Sequence, residues 1–135
     1  MYEMKPEYYT GIEAIDQEHS RLFDMAQETQ DLLGDNLLYD KTEKLNSLIS
    51  ELIDYTKTHF AHEEDYMRSI RYAGIDGHMA LHRRFEDSLM QFDPDALEDI
   101  EKQDEIVEKL LGFLITWLID HIQRVDMVYA NSVRQ

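Results

Sequence analysis

The sequence predicts an all-α protein: an up-down-up-down antiparallel four-helix bundle preceded by an N-terminal extended arm. Three observations predict it. Apolar residues recur every three or four positions over four long stretches, the period of a helix with one buried face. Only two prolines and five glycines interrupt 135 residues, which leaves room for long helices. The connections between the four stretches are short, and short connections make sequential helices antiparallel neighbours. No stretch shows the alternation of a half-buried strand.

Residues 1 to about 14 form the expected arm. Tyr2, Met4, Tyr8 and Tyr9 are expected to pack it onto the bundle, and Pro6 resists helix. Asp16 is expected to cap the first helix, whose inward stripe reads His19, Leu22, Phe23, Ala26, Gln30 and Leu33. Gly34 ends that helix and Asp35-Asn36 continue the turn.

The second helix is expected from about Lys41 to Ser69, with Leu45, Leu48, Ile49, Leu52, Thr56, His59, Phe60, Glu63 and Met67 facing inward. A break at 71–77 holds Gly74 and Gly77. The third helix then spans about Ile75 to Gln91, with Ile75, His78, His82, Phe85, Leu89 and Phe92 inward. Phe92-Asp93-Pro94-Asp95 ends it, because proline disfavours helix for the residue before it. The acidic stretch Glu98 to Glu105 reads as a solvated connection or as exposed first turns. The fourth helix, about Gln103 to Ala130, turns Ile106, Leu110, Phe113, Leu114, Trp117, Leu118, His121, Val125 and Val128 inward. Residues 1–135 are expected to make one domain, with the bundle over about 15–130.

Composition excludes several chemistries. There is no cysteine, so disulfides, thiolate zinc sites and iron–sulfur clusters are out. The formal net charge is −16, a field that repels nucleic acid and anionic membranes. The N-terminus has no apolar signal-peptide core, and the longest apolar run, Leu110 to Ile119, is too short to span a bilayer. A cytoplasmic protein is expected, with no nucleic-acid or membrane partner.

Five of the six histidines fall on the inward stripes: His19, His59, His78, His82 and His121. Each helix contributes at least one. Burying five imidazoles without partners would cost several kcal/mol each, by the cost of desolvating polar groups, and a metal removes that cost. His59 and Glu63 stand four apart on one helix, as do His78 and His82 on the next, so each pair can aim two donors at one spot. His62 lies beside this face. Its neighbour Glu63 suggests a zinc-protease helix, but Tyr66 stands where that motif needs a second histidine. Glu64 and Asp65 read as solvated. Asp126 follows His121 by five residues, wider than one helical face, so it reaches the axis from the opposite flank or through a local bulge.

Mixed imidazole and carboxylate donors suit iron, manganese or zinc. Seven donors are too many for one ion. Two octahedral ions sharing two bridging carboxylates and one oxo or hydroxo bridge would leave a single open position, an invitation to one small ligand. The Glu-x-x-His motifs of ferritin-like di-iron proteins are absent from the sequence.

Four stretches resemble a known family: Gly11 to Phe23, His59 to Met67, His78 to His82, and Trp117 to Asp126. Together they are similar to hemerythrins, specifically the single-domain bacterial kind, over essentially the whole chain. The resemblance implies two iron ions. His78, His82 and His121 would hold one, His19 and His59 the other, and Glu63 and Asp126 would bridge them. O2 would bind reversibly at the iron carrying two histidines, beneath an apolar pocket of Phe60, Trp117, Leu118 and Ile122. The implied role is an oxygen carrier, store or scavenger, a monomer and not an enzyme. Two other readings stay open: a di-iron oxidase, peroxidase or nitric-oxide-handling enzyme, and an oxygen or iron sensor acting through a partner. Two departures from bacterial relatives stand out, Met4 where they carry tryptophan and Arg71 where they carry glycine.

Overall fold

The computed structural model describes residues 2–35 and 40–134. Among them there are four long helical rods and no strand. Helix α1 is Glu13–Leu33, α2 is Thr42–Ser69 and α3 is Ile75–Leu89. The fourth rod is α4, Gln103–His121, which passes through a π-helical turn, Ile122–Asp126, into α5, Met127–Arg134. Helix α1 packs on α2 and α4, and α3 returns along α2. The core between them includes Leu22, Phe23, Leu45, Ile49, Leu52, Leu89, Leu111 and Leu114. The expected Asn36 part of the first turn lies outside the described residues.

The arm is shorter and more structured than expected. Pro6 opens a 3-10 turn, Pro6–Tyr8, using its fixed φ at a first-turn position where no N–H is needed. Tyr8 is buried and stacks on Phe23 with ring centroids 5.7 Å apart, but Tyr9 is exposed. Helix α1 starts at Glu13, so Asp16 is not its N-cap. Its buried carboxylate instead accepts hydrogen bonds from Thr10 N (2.8 Å), Thr10 Oγ1 (2.8 Å) and Gly11 N (3.0 Å). A carboxylate in the first turn also suits the helix dipole. Gly11 sits at φ 87°, which glycine adopts without a Cβ clash.

Helix α2 ends in a Schellman motif. Tyr72 N donates to Met67 O (3.0 Å) and Arg71 N to Arg68 O (3.1 Å). The residue in the left-handed position is Arg71, at φ 54°. Helix α3 stops at Leu89, two residues earlier than expected. In the acidic connection, Leu97 is fully buried and Gln103 is buried too, its Nε2 donating to Leu97 O and Thr42 Oγ1, both at 2.8 Å. Leu97, just before the acidic stretch, and Gln103 within it are anchors, while Glu98, Asp99, Glu101, Asp104 and Glu105 are exposed as expected, the last two in the first turn of α4.

The fourth rod is rotated from its expected face. Phe113 and Val128 are exposed, whereas Val107, Leu111, Ile115, Ile122 and Tyr129 are buried. Leu110 to Ile119 is apolar on every side, so its periodicity does not select a face. Beyond it, the π turn shifts the register by a residue.

Candidate metal centre

Seven polar side chains meet in the apolar interior: His19 from α1, His59 and Glu63 from α2, His78 and His82 from α3, His121 from α4, and Asp126 from the π turn. All seven are buried. The i, i+4 pairs of α2 and α3 face each other as helical spacing requires. Asp126 reaches the same spot because the π turn, with its i→i+5 bonding, inserts one extra residue and brings a position five beyond His121 onto the same face.

The carboxylate oxygens divide the donors into two sets. Glu63 Oε1 lies 2.9 Å from both His78 Nε2 and His82 Nε2, and 3.9 Å from His121 Nε2. Asp126 Oδ1 lies 3.0 Å from His78 Nε2 and 3.1 Å from His121 Nε2. The imidazole nitrogens of this set are themselves close, with His78 to His121 at 2.9 Å and His82 to His121 at 3.2 Å. The other oxygens face the second set. Glu63 Oε2 is 3.4 Å from His59 Nε2 and 3.7 Å from His19 Nε2, and Asp126 Oδ2 is 3.3 Å from His19 Nε2. Adjacent donors around an octahedral ion with bonds of about 2.1 Å stand about 3 Å apart. The first set has that spacing.

The residues fit a metal by a second test. His19 Nε2, Glu63 Oε2 and both Asp126 oxygens are buried with no hydrogen-bond partner among the described residues. Buried polar atoms are costly to leave unpaired, and all four belong to the donor sets.

The protein alone meets the cost with charge. Burial pushes His19 down, but Asp126 and Glu63 outweigh it and lift the imidazole to about 9. The same balance lifts His78 to about 9. Burial pushes the Glu63 and Asp126 carboxyls up, and the surrounding histidines hold both well below the usual carboxylate range. These are protons and charges that a cation would replace.

An outer ring holds the donors. His59 Nδ1 pairs with Glu18 Oε1 at 2.8 Å, and His62 Nδ1 lies 2.5 Å from Glu18 Oε2. His62 is 56% exposed and stands outside the cluster, as its position beside the ligand face suggests. Glu64 is a correction: it is buried, its Oε2 lies 2.8 Å from His82 Nδ1, and it also pairs with Arg83. Asp65 is exposed. Sequence reasoning also missed Tyr129, fully buried three residues after Asp126. Burial, then the charges of Glu63 and Asp126, pushes its hydroxyl far up. Its place three beyond a candidate donor was the available signal.

The four pocket residues fall differently. Leu118 and Ile122 are buried. Phe60 lies flat on His82, centroids 3.9 Å apart and planes 4° apart, and Trp117 on His121 at 4.3 Å and 14°. Both rings thus brace imidazoles of the three-histidine set.

The Hemerythrin HHE cation binding domain family matches residues 10–132 of this chain. The chain belongs to the hemerythrin family. Among hemerythrins, a bacteriohemerythrin of Clostridium acetobutylicum is 35% identical over 132 residues, covering 97% of this chain and 100% of the relative. One from Pseudomonas paraeruginosa is 30% identical over 130 residues, covering 93% of this chain and 76% of the relative. Hemerythrin subunit 1 of Golfingia vulgaris is 29% identical over 133 residues, covering 98% and 93%.

Proposed function

We propose that this hemerythrin binds O2 reversibly at two iron ions held by His19, His59, Glu63, His78, His82, His121 and Asp126. His78, His82 and His121 hold one, His19 and His59 the other, and the two carboxylates span both. The observation that carries this reading is the division of the carboxylates, each turning one oxygen to either histidine set. Two ferrous ions there would supply the two electrons that O2 takes up on binding and returns on release.

The chain's own groups do the rest. The bridging carboxylates supply negative charge between two cations. Glu18 and Glu64 orient His59 and His82 through their Nδ1 atoms. Phe60 and Trp117 fix the imidazole planes, and Leu118 and Ile122 keep water out. A binder must not deliver protons to its ligand, whereas an oxidase or peroxidase must. Of the four pocket side chains, Phe60, Leu118 and Ile122 have no proton to give and Trp117 has only its weakly acidic indole N–H, which favours the binder. We take the protein as a cytoplasmic monomer without nucleic-acid partners, not an enzyme. No helix among the described residues is long and apolar enough to cross a membrane.

The test is an absorption spectrum of the anaerobic ferrous protein, then in air, then under argon. A band that appears in air and disappears under argon is expected. A band that never forms, or one that argon leaves unchanged, moves the di-iron enzyme ahead.

A further inference from the structure

The three-histidine set has a second carboxylate behind it. His82 turns Nε2 inward, 2.9 Å from Glu63 Oε1, so its Nδ1 faces away from the centre. That Nδ1 meets Glu64 Oε2 at 2.8 Å. A ligand imidazole must keep Nε2 free of hydrogen, so Nδ1 carries the proton and donates it to Glu64. The Phe60 ring, stacked flat on His82, prevents the imidazole from turning away.

Glu64 is not free to give its whole charge to this bond. Arg83 Nη2 contacts the same Oε2. Arg83 is in turn held by Glu86, with Nη1 at 2.7 Å from both carboxylate oxygens. Arg83 is 48% exposed and touches no donor directly in these contacts. On the other side of the centre, Glu18 accepts from His59 in the same manner, but its second partner is the exposed imidazole of His62. The two histidine sets are therefore backed by carboxylates with different second partners, a guanidinium on one side and an imidazole on the other.

We propose that Glu64 is a positioning residue that sets the donor strength of His82, and that Arg83 limits that strength by sharing the carboxylate. The inference rests on the di-iron reading. A full carboxylate charge on Nδ1–H pushes electron density toward Nε2 and favours the ferric ion. A guanidinium on the same oxygen withdraws part of it. The two residues thus act on the ferric preference with opposite signs, although they touch each other.

The test uses iron-loaded full-length wild type, Glu64→Gln and Arg83→Gln. Iron per chain is measured first, then the reduction potential. Glu64→Gln keeps a hydrogen-bond acceptor but loses the charge. It is expected to shift the balance toward the ferrous form about tenfold, the low end of outer-partner effects, which is about 59 mV for one electron. Arg83→Gln is expected to shift it the other way. A purely structural role would weaken iron retention in both variants and move both potentials together. Shifts of the same sign, or unchanged potentials in iron-loaded variants, overturn the inference. If Glu64→Gln does not load iron, Arg83→Gln decides alone: a shift toward ferric supports the inference, and none or the reverse overturns it. If wild type itself does not take two irons, the di-iron reading fails first and the inference falls with it.

Discussion

Asp126 stands five residues beyond His121, yet its Oδ1 lies 3.1 Å from His121 Nε2. An α-helix would turn two such positions well apart. The π turn at Ile122–Asp126 brings them together. Such turns recur where a helix must present one extra residue to a site. Asp120, one residue before His121, faces solvent and pairs with Arg124 at 2.8 Å. Asp126→Asn is therefore expected to lower iron affinity by more than about 100-fold, beyond the range of an outer partner, and Asp120→Asn to leave iron content unchanged. Elemental analysis of both purified variants checks this. Full iron in Asp126→Asn would remove it from the ligand set.

Glu63 and His62 are sequence neighbours with opposite fates. Glu63 is fully buried between both histidine sets, whereas His62 is exposed on Glu18. Glu63→Ala is expected to lose iron and depress the thermal midpoint. His62→Ala should do neither, since Glu18 still accepts from His59 at 2.8 Å. Equal loss in the two variants would mean that the bridging carboxylate is misassigned.

Much of this was legible in sequence, and the misses share one cause. His19, His59, His78, His82 and His121 show as candidate donors because each interrupts an apolar stripe at a core position. Glu64 does not show, because a charged residue in a run of three reads as solvent-facing. Its partners His82 and Arg83 come from another helix, and sequence spacing does not reveal that contact. Phe113 is expected inside because Leu110 to Ile119 is apolar on every face and carries no directional signal, and Val128 because the π turn that shifts the register before it leaves no mark in the periodicity. Asp16 has the right residue type for an N-cap, but Thr10 and Gly11 reach its carboxylate across a turn that periodicity does not describe. In each case the deciding interaction is tertiary.

Arg71 occupies the left-handed position that closes α2, at φ 54°. A side chain there costs about 1–2 kcal/mol through the Cβ clash, partly offset in glycine by its greater unfolded-chain freedom. Arg71→Gly is expected to raise stability by about 0.5–1 kcal/mol, with the Schellman bonds to Met67 and Arg68 kept. Urea unfolding measures it. A destabilised variant would show that the Arg71 side chain contributes more than the backbone costs.

Removing the metal should make stability depend on alkaline pH. In chelated protein His19 and His78 titrate near 9 rather than 6.5, because Asp126 and Glu63 favour their charged forms. A folded pKa raised above the unfolded one contributes stability that is complete below about 6.5 and lost as pH rises through about 9. Iron displaces those protons, so the loaded protein should not follow this curve, and it should be the more stable form throughout. Thermal midpoints by circular dichroism at about pH 6 and about pH 9.5 make the comparison. A chelated midpoint that is level or rises between them, or one equal to the loaded protein's, contradicts the argument.

Leu118 separates a binder from an enzyme. It lies three residues before His121 on α4 and is 3% exposed. Helical side chains lean toward the N-terminus, so Leu118 covers the turn preceding that donor. On the proposed reading it is part of the lid over the open position. An apolar lid keeps water and protons from the bound ligand, which then leaves as O2. Leu118→Ala opens a space that water can enter. Oxidation to the ferric state in air should accelerate, with initial oxygen binding largely intact. The lost core contact should cost about 2–5 kcal/mol as well. Both effects are measured on the same sample, one as decay of the air-induced absorbance and one as the unfolding midpoint. A variant that loses stability but decays no faster than wild type would leave Leu118 a core residue only, and the reversible-binding mechanism would lose its lid.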